Sequence, residues 1–294
     1  MESEIEIKKR VREFYDEVGW QQVSDGIYQN ARYEDLRPVA REYIHHCHLR
    51  VNRHLEARGR YLLDAGSGPI QYPEYLSYSR DYDHRVCLDV SIVALQEARQ
   101  RIGDHGLFVV GDVTRLPFRT ACFGGIVSLH TIHHVPFDEQ PVAYQDLYRT
   151  LQPGRTAVIV NGWDDARLMQ GLEWLVRLMN LGLRITRRLA HHRQAAAEGA
   201  KAAPSLKPRA TKTYTRHFAA ATLTEVLRKK GIPVDILVWR SVSTRFLRTV
   251  FHPVLAGRFW LRLLFWLEER APHFFGKYGQ YPLIVIKKPA QGSR

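Results

Sequence analysis

Three aspartates each follow a short apolar run of the chain, namely Asp64, Asp89 and Asp112. Gly66 and Gly68 come directly after the first of them, and glycine lets a backbone turn sharply and approach a ligand closely. Asp64 and Asp89 are 25 positions apart, the length that a strand, turn, helix and second strand need. Parallel strands bring their carboxyl ends to one edge, where such sheets bind nucleotides. The sequence therefore predicts a nucleotide site at that edge.

The spacing of the glycines separates two classes of nucleotide. A dinucleotide site needs G-x-G-x-x-G, and counting from Gly66 places Gln71 where the third glycine belongs. This departure argues against a bound pyrophosphate. A carboxylate at Asp89 is suited to accept hydrogen bonds from two adjacent ribose hydroxyls, and it would repel a phosphate.

Five blocks then occur in a characteristic order: LLDAGSGP, CLDVS, GDVTRLPF, FGGIVSLHTIHHVP and LYRTLQPGRTAVI. In order and spacing they resemble the motifs of class I S-adenosylmethionine-dependent methyltransferases, in particular the small-molecule branch with the ubiquinone and menaquinone C-methyltransferases. The likeness is strong over residues 60–161. It implies S-adenosylmethionine as cofactor. It also implies an α/β, Rossmann-like fold, with a seven-stranded, mostly parallel sheet, an antiparallel last strand and helices on both faces.

The resemblance also implies roles for individual residues. Asp64 would orient the glycine turn and face the amino group of the cofactor, although a turn or helix-capping role is the alternative. Asp89 would hold the ribose and Asp112 the adenine amine. The full set of expected cofactor contacts is Asp64, Gly66, Gly68, Asp89, Val90, Asp112, Val113 and Leu129. One position departs from the family, because Ile70 stands where a third glycine is usual.

Three histidines, His130, His133 and His134, follow the fourth predicted strand, where substrate meets cofactor in this fold. Methyl transfer to a hydroxyl or a ring carbon needs a proton acceptor, and an imidazole suits that task. His130 is the first candidate base and His133 the second, whereas His134 is expected to be structural. A non-catalytic histidine is the alternative at each position. We expect no metal, because no acid or cysteine lies beside them at a ligand spacing.

Two flanking segments supply expected acceptor contacts by resemblance. Tyr15, Trp20 and Tyr28 belong to an N-terminal segment that closes over the cofactor in related enzymes, and packing against the core is the alternative for each. Tyr214, Arg216 and His217 lie at a junction that borders the acceptor pocket in relatives, and His217 is a further candidate catalytic residue. Helices are predicted over 4–18 and 36–55 from their apolar spacing.

The chain after residue 160 departs from the family pattern. A long basic amphipathic helix is predicted over about 167–189, followed by a loop over 194–213, and together they suggest a cap over the acceptor site. A solvated helix packed on the sheet is the alternative. The segment 246–267 mixes aromatic side chains with arginines, so it could lie on a membrane surface, line an apolar tunnel or pack in the core. The expected units are 1–59, 60–161, 162–213 and 214–294.

Charge is distributed unevenly in this chain of 294 residues with a net charge of +13. Residues 1–160 hold 19 basic and 22 acidic side chains, whereas residues 161–294 hold 24 and 8. Such a basic surface attracts anionic substrates, acidic lipids or nucleic acid, and solubility alone is the alternative. The charged start predicts no signal peptide, and we expect a cytoplasmic protein with a peripheral membrane contact through its basic part.

The leading hypothesis is methyl transfer to oxygen or carbon of a small, apolar or aromatic acceptor. A nucleic-acid methyltransferase is the first rival, but no base-amine motif such as N-P-P-Y is present. The second rival is a cofactor-binding protein without catalysis, which the presence of Ile70 in place of the usual glycine suggests. The sequence does not predict an oligomeric state.

Overall fold

A seven-stranded sheet forms the centre of the molecule. The computed structural model describes residues 3–20, 22–24, 27–28, 34–56, 58–194 and 213–290. The strands of the sheet are β3 (Gly59–Ala65), β4 (Tyr82–Asp89), β5 (Gly106–Val110), β6 (Gly125–Leu129), β7 (Thr156–Val160), β8 (Asp235–Arg240) and β9 (Tyr281–Lys287). A separate hairpin joins β1 (Gln22–Ser24) and β2 (Ile27–Tyr28).

The sheet has the order β5-β4-β3-β6-β7-β9-β8. The first five strands in this order pair in parallel, and β9 pairs antiparallel with both β7 and β8. The predicted antiparallel last strand is therefore confirmed. The strand order reverses between β3 and β6, and the carboxyl ends of those strands flank a crevice of the kind that binds ligands in such sheets.

Ten α-helices accompany the strands in the described part of the chain. They are α1 (Glu4–Phe14), α2 (Arg41–Leu49), α3 (Ile92–Ile102), α4 (Gln140–Thr150), α5 (Arg167–Gly171), α6 (Glu173–Gln194), α7 (Ala220–Lys229), α8 (Thr244–Val250), α9 (Gly257–Arg270) and α10 (Pro272–Tyr278). Two apolar clusters fill the space on the two faces of the sheet, one with α2, α8 and α9 and the other with α4 and α7.

Several predicted helices are shorter than their apolar pattern suggested. The helix expected over 4–18 becomes α1 followed by a π-helical turn at Tyr15–Gly19. The helix expected over 36–55 begins only at Arg41, after Pro38, and continues from Arg50 to His54 as a 3-10 helix. Proline lacks a backbone N–H and disfavours helical geometry in the residue before it, which explains the late start.

The later part of the chain also differs in detail from the prediction. The basic helix is divided at Leu172 into α5 and α6, and most of the expected loop, 195–212, lies outside the described residues. The aromatic segment 246–267 is not one element, because a 3-10 turn at Pro253–Leu255 separates α8 from α9. None of the helices within the described ranges is long and apolar enough to cross a membrane.

Candidate active site

A cavity of about 630 Å³ lies at the carboxyl edge of the sheet. This volume falls within the range of about 300–1,000 Å³ that is typical of small-molecule sites. Its walls include every expected cofactor contact: Asp64, Gly66, Gly68, Asp89, Val90, Asp112, Val113 and Leu129. The predicted glycine turn and the ends of β3, β4, β5 and β6 therefore converge on one site.

The glycine turn keeps three residues in left-handed backbone geometry. Gly66, Gly68 and Ile70 have φ values of +76°, +53° and +54°. A Cβ on Gly66 would overlap the Thr131 side chain, and one on Gly68 would lie 2.9 Å from the Trp20 ring. Only glycine therefore leaves room at the first two positions.

Ile70 adopts the conformation that the usual glycine would take, although a β-branched residue is rarely found there. Its side chain is fully buried, and its carbonyl oxygen accepts a 2.9 Å hydrogen bond from Arg101 Nη1. Packing thus compensates for the backbone strain. Ile70 therefore keeps the left-handed backbone geometry that glycine favours, and its presence gives no reason to expect a non-catalytic protein.

Replacing Ile70 by glycine should lower the free energy of unfolding by about 1–3 kcal/mol, because the loss of a buried side chain exceeds the relief of strain. Urea denaturation of the purified variant measures the change. A variant more stable than the parent would show that strain dominates at this position.

Asp89 is buried, and its carboxylate already accepts two backbone hydrogen bonds. The N–H of Gly68 donates to Oδ2 and the N–H of Ser91 to Oδ1, each at 2.9 Å. Burial raises the pKa of Asp89 to about 6, although these backbone donors lower it. Each carboxylate oxygen has a second lone pair, which leaves capacity to accept from ribose hydroxyls.

We expect cofactor affinity to depend on pH through this group. As pH falls through about 6, Asp89 binds a proton and loses part of its acceptor capacity, so affinity should fall by up to about tenfold for each further pH unit. Calorimetric titration of S-adenosylhomocysteine between pH 8 and 5 measures this. Constant affinity over that range would contradict the assignment of Asp89.

Asp64 lies on the cavity wall, but its carboxylate is paired with a residue that the sequence analysis missed. Arg85 is fully buried, and its guanidinium donates from Nε to Asp64 Oδ2 at 3.0 Å and from Nη2 to the same oxygen. Arg85 Nη1 donates at 2.6 Å to the carbonyl of Tyr75. Asp64 is thus one half of a buried ion pair beneath the glycine turn, so it can fix the turn while its charge is balanced.

Asp112 is held by the N-terminal helix. Lys8 Nζ lies 2.8 Å from Asp112 Oδ2 and also contacts the Glu139 carboxylate. Burial opposes ionisation of Asp112, but hydrogen bonds from Lys8 and Thr114 outweigh it and lower the pKa. Lys8 thereby ties α1 to the position expected to bind adenine.

Replacing Lys8 by methionine should loosen α1, because the apolar stem is kept while both ion pairs are lost. A half-exposed pair contributes about 1 kcal/mol, so amide exchange over residues 4–14 should become about fivefold faster. Lys9→Met is the matched control, since Lys9 is exposed and its one ion pair with the described residues is to Glu13 on the same helix. Equal amide protection of α1 in Lys8→Met and Lys9→Met would contradict the role of Lys8 in holding α1 at Asp112.

The N-terminal segment contacts the site through aromatic side chains. Tyr15 stacks on Trp20 with ring centroids 5.2 Å apart, and Trp20 lies over Gly68. The Tyr15 hydroxyl lies 2.7 Å from His134 Nε2, while His134 Nδ1 lies 2.7 Å from the carbonyl of Tyr214. Because a carbonyl can only accept, His134 donates from Nδ1 and accepts from Tyr15 at Nε2. Tyr28 lies in β2, but its side chain is outside the described part of the chain.

Four imidazoles meet at the wall of the cavity. His133 lies 6.3 Å from His130, 4.2 Å from His134 and 4.7 Å from His217, measured between ring centroids. Burial lowers the pKa of each, to about 3 for His130 and to about 4 for His134. All four are therefore neutral at physiological pH. No metal-binding group of histidines, cysteines and acids occurs in the described ranges.

The four rings differ in their hydrogen bonds. Both nitrogens of His134 are engaged, and His133 Nδ1 donates to Asn161 Oδ1 at 2.5 Å. His217 packs against Gly162, with Nδ1 buried and without a partner among the described residues. Neither ring nitrogen of His130 has a hydrogen-bond partner among the described residues. His130 also has a left-handed φ of +55°, the kind of backbone strain that is concentrated at functional sites.

The junction at 213–217 faces the cavity with alternate residues. Thr213, Thr215 and His217 lie on its wall, whereas Tyr214 and Arg216 do not. Tyr214 accepts a hydrogen bond from the Phe137 N–H at 3.1 Å, and the Arg216 guanidinium lies 4.9 Å above the Phe137 ring. Extended backbone sends successive side chains to opposite sides, which explains the difference. Tyr214 and Arg216 therefore lie beside the cavity and not on its wall, and their contact with an acceptor stays a prediction.

The cavity wall also contains residues that the sequence did not predict. Glu34 and Arg240 are both buried and form an ion pair, and Tyr72 and Tyr281 lie beside them on the wall. Burial opposes ionisation of Glu34, but Arg240 and His48 lower its pKa to about 2. A bulge in β8 lies between Val238 and Arg240, and the centroid of the Trp239 ring lies 4.9 Å from that of His130.

Comparison with known proteins agrees with this geometry. Residues 63–159 match the family model described as methyltransferase domain. The protein therefore contains a methyltransferase domain. No curated protein matches the chain by sequence.

Solved structures show the same fold at low identity. Geranyl diphosphate C-methyltransferase from Streptomyces coelicolor A3(2) is 14% identical, with a TM-score of 0.54 over 96% of this chain and 97% of that one. The complex of DhpI with SAM and HEP is 14% identical, with a TM-score of 0.55 over 96% and 97%. A Haloferax volcanii methyltransferase, in complex with its Trm112 activator, is 15% identical, with a TM-score of 0.51 over 85% and 92%. These likenesses establish the fold of the methyltransferase.

The site residues of the methyltransferase fit S-adenosylmethionine. Gly66 and Gly68 leave space that a Cβ would fill, and the free acceptor capacity of Asp89 suits a ribose. Asp112 lies at the end of the neighbouring strand, where the adenine amine would meet a carboxylate. Within the described cavity wall no Lys or Arg side chain is free to bind a pyrophosphate, since Lys8 pairs with Asp112 and Arg240 pairs with Glu34.

Proposed function

We propose that this methyltransferase transfers a methyl group to oxygen or carbon of a small apolar or aromatic acceptor. The observation that carries the proposal is a single cavity whose wall contains both the expected cofactor residues and His130, with the Tyr281 ring centroid 5.6 Å from the His130 ring centroid. Tyr72, Tyr75 and Tyr281 supply flat apolar surfaces on which an aromatic or prenyl group would pack.

The chain's own residues have two tasks in such a reaction. Bound S-adenosylmethionine supplies an electrophilic methyl group. The aromatic wall aligns the acceptor with it, and alignment alone accounts for a large part of such catalysis. His130, neutral and free of hydrogen bonds among the described residues, takes the proton that a hydroxyl or a ring carbon releases.

The buried pair Glu34–Arg240 supports a polar group on the acceptor. Both side chains lie on the cavity wall, and a buried ion pair there has fixed dipoles that can orient a hydroxyl or carbonyl. The acceptor would then have an apolar body between the tyrosines and one oxygen near His130. Geranyl diphosphate, the acceptor named for one similar structure, is likewise a small molecule with an apolar chain.

A nucleic-acid acceptor is the rival. It has the basic charge of residues 161–294 in its favour. However, a flipped base would have to fit in a cavity whose wall includes the buried ion pair of Glu34 and Arg240.

The test is product analysis with methyl-labelled S-adenosylmethionine. Purified protein is incubated with small phenols, quinols and prenylated acceptors, and in parallel with single-stranded RNA and DNA. The proposal predicts a labelled small molecule whose label is retained on oxygen or carbon. Label found only in nucleic acid, or only on nitrogen, would refute it.

A further inference from the structure

Helix α9 presents an apolar face to solvent as well as to the core. Its inward side is fixed, because Leu261 and Glu268 are buried and the Glu268 carboxylate accepts hydrogen bonds from Tyr43, Arg50 and the Ser241 N–H. On the opposite side, Phe259 is 60% exposed and Trp266 is 51% exposed. A surface helix normally has charged residues on that side.

The apolar face is continuous along the helix. Phe259, Leu263 and Trp266 recur at intervals of four and three, so they share one side, with Trp260 and Leu267 beside them. The preceding turn adds Val254, which is 90% exposed, and Leu255. We define this set as the α9 face: Val254, Leu255, Phe259, Trp260, Leu263, Trp266 and Leu267.

Basic side chains surround the α9 face. Residues 244–278 contain six Lys and Arg against two acids. Glu268 pairs with Arg50, and Glu269 pairs with Arg50 and Arg53. Of the arginines, Arg262 pairs with Glu42 on α2. Arg258 and Arg262 border a cleft of about 90 Å³ beside His46, and Arg270 lies over the Trp266 ring. Aromatic side chains with flanking arginines are the composition of helices that lie in a membrane interface.

We infer that the α9 face docks on an anionic lipid surface, with α9 lying in the plane of the interface. The charge argues against a second copy of the chain, because a two-fold contact would bring the same arginines together. An anionic lipid surface suits both the aromatic rings and the arginines of the face. The rings would enter the boundary between headgroups and acyl chains, and the arginines would contact the headgroup phosphates. The inference does not depend on the acceptor proposed above, because lipid binding is measured without cofactor or acceptor.

The test is vesicle flotation with the full chain. Binding should be strong to vesicles that contain phosphatidylglycerol, weak to phosphatidylcholine alone, and reduced by salt. Phe259→Ser and Trp266→Ser should each weaken it about tenfold, because each removes a large apolar side chain from the interface. Arg258→Glu should weaken binding only to the anionic vesicles. The matched control is Ile92→Ser, an equally exposed apolar residue on α3, which packs near β5 at the other end of the sheet.

Circular dichroism confirms that the variants fold, and light scattering gives their oligomeric state. Absent binding, equal binding to both vesicle types, or wild-type binding by Phe259→Ser and Trp266→Ser would overturn the inference. It would also be overturned by a dimer of the parent protein that Trp266→Ser dissociates, since the face would then contact a second copy.

Discussion

Asp89→Ala should lower the affinity for S-adenosylmethionine by about 100-fold or more. Two hydrogen bonds to a carboxylate contribute about 1.5–3 kcal/mol each, and the ribose loses both. The variant also leaves the N–H groups of Gly68 and Ser91 without their acceptor, so the glycine turn loses an anchor. Isothermal titration with S-adenosylhomocysteine measures the loss.

The control is Asp83→Ala, which removes an exposed acid from the opposite end of the same strand, β4. It should bind the cofactor as the parent does. Thermal unfolding separates a lost contact from a lost fold, because the unpaired N–H groups should lower stability by about 1–3 kcal/mol each without unfolding the protein. Parental affinity in Asp89→Ala would refute the ribose assignment.

His130→Asn should lower kcat by about 100-fold to 10,000-fold, the range for loss of a general base, with cofactor affinity nearly unchanged. Asparagine tolerates the left-handed backbone at φ +55°, so the substitution removes the imidazole without adding strain. Single-turnover rates at saturating cofactor, measured with the acceptor found in the product analysis, report the effect on the chemical step.

The comparison variant is His84→Asn on β4, which lies outside the cavity wall and should leave turnover unchanged. Burial keeps the pKa of His130 near 3. Protonation of His130 should therefore not lower turnover at saturating cofactor between pH 8 and pH 5. Parental turnover in His130→Asn would transfer the role of base to another group, with His133 Nε2 next in position.

The sequence allowed prediction of the residues whose function depends on local backbone. Gly66, Gly68, Asp89 and Asp112 lie within a few positions of a strand end, so their place at the sheet edge follows from the alternation of strands and helices. Ile70 illustrates the limit of that reasoning. The sequence shows a missing glycine, but only the structure shows that Ile70 has a left-handed backbone and a fully buried side chain.

Residues that meet across long stretches of chain could not be predicted. Glu34 and Arg240 are 206 positions apart, and nothing local marks either as part of a site. Lys8 reaches Asp112 only because α1 packs over the edge of the sheet. The alternation that separates Thr213 and Thr215 from Tyr214 depends on the extended course of the junction, which a motif match does not reveal.

The most direct test of the account is a crystal structure of the protein grown with S-adenosylhomocysteine. The account predicts the ribose hydroxyls on Asp89, the adenine beside Asp112, and the sulfur directed toward His130 and the tyrosines on the cavity wall. A nucleoside bound elsewhere, or one that enters this cavity with its sulfur directed away from His130, would contradict it.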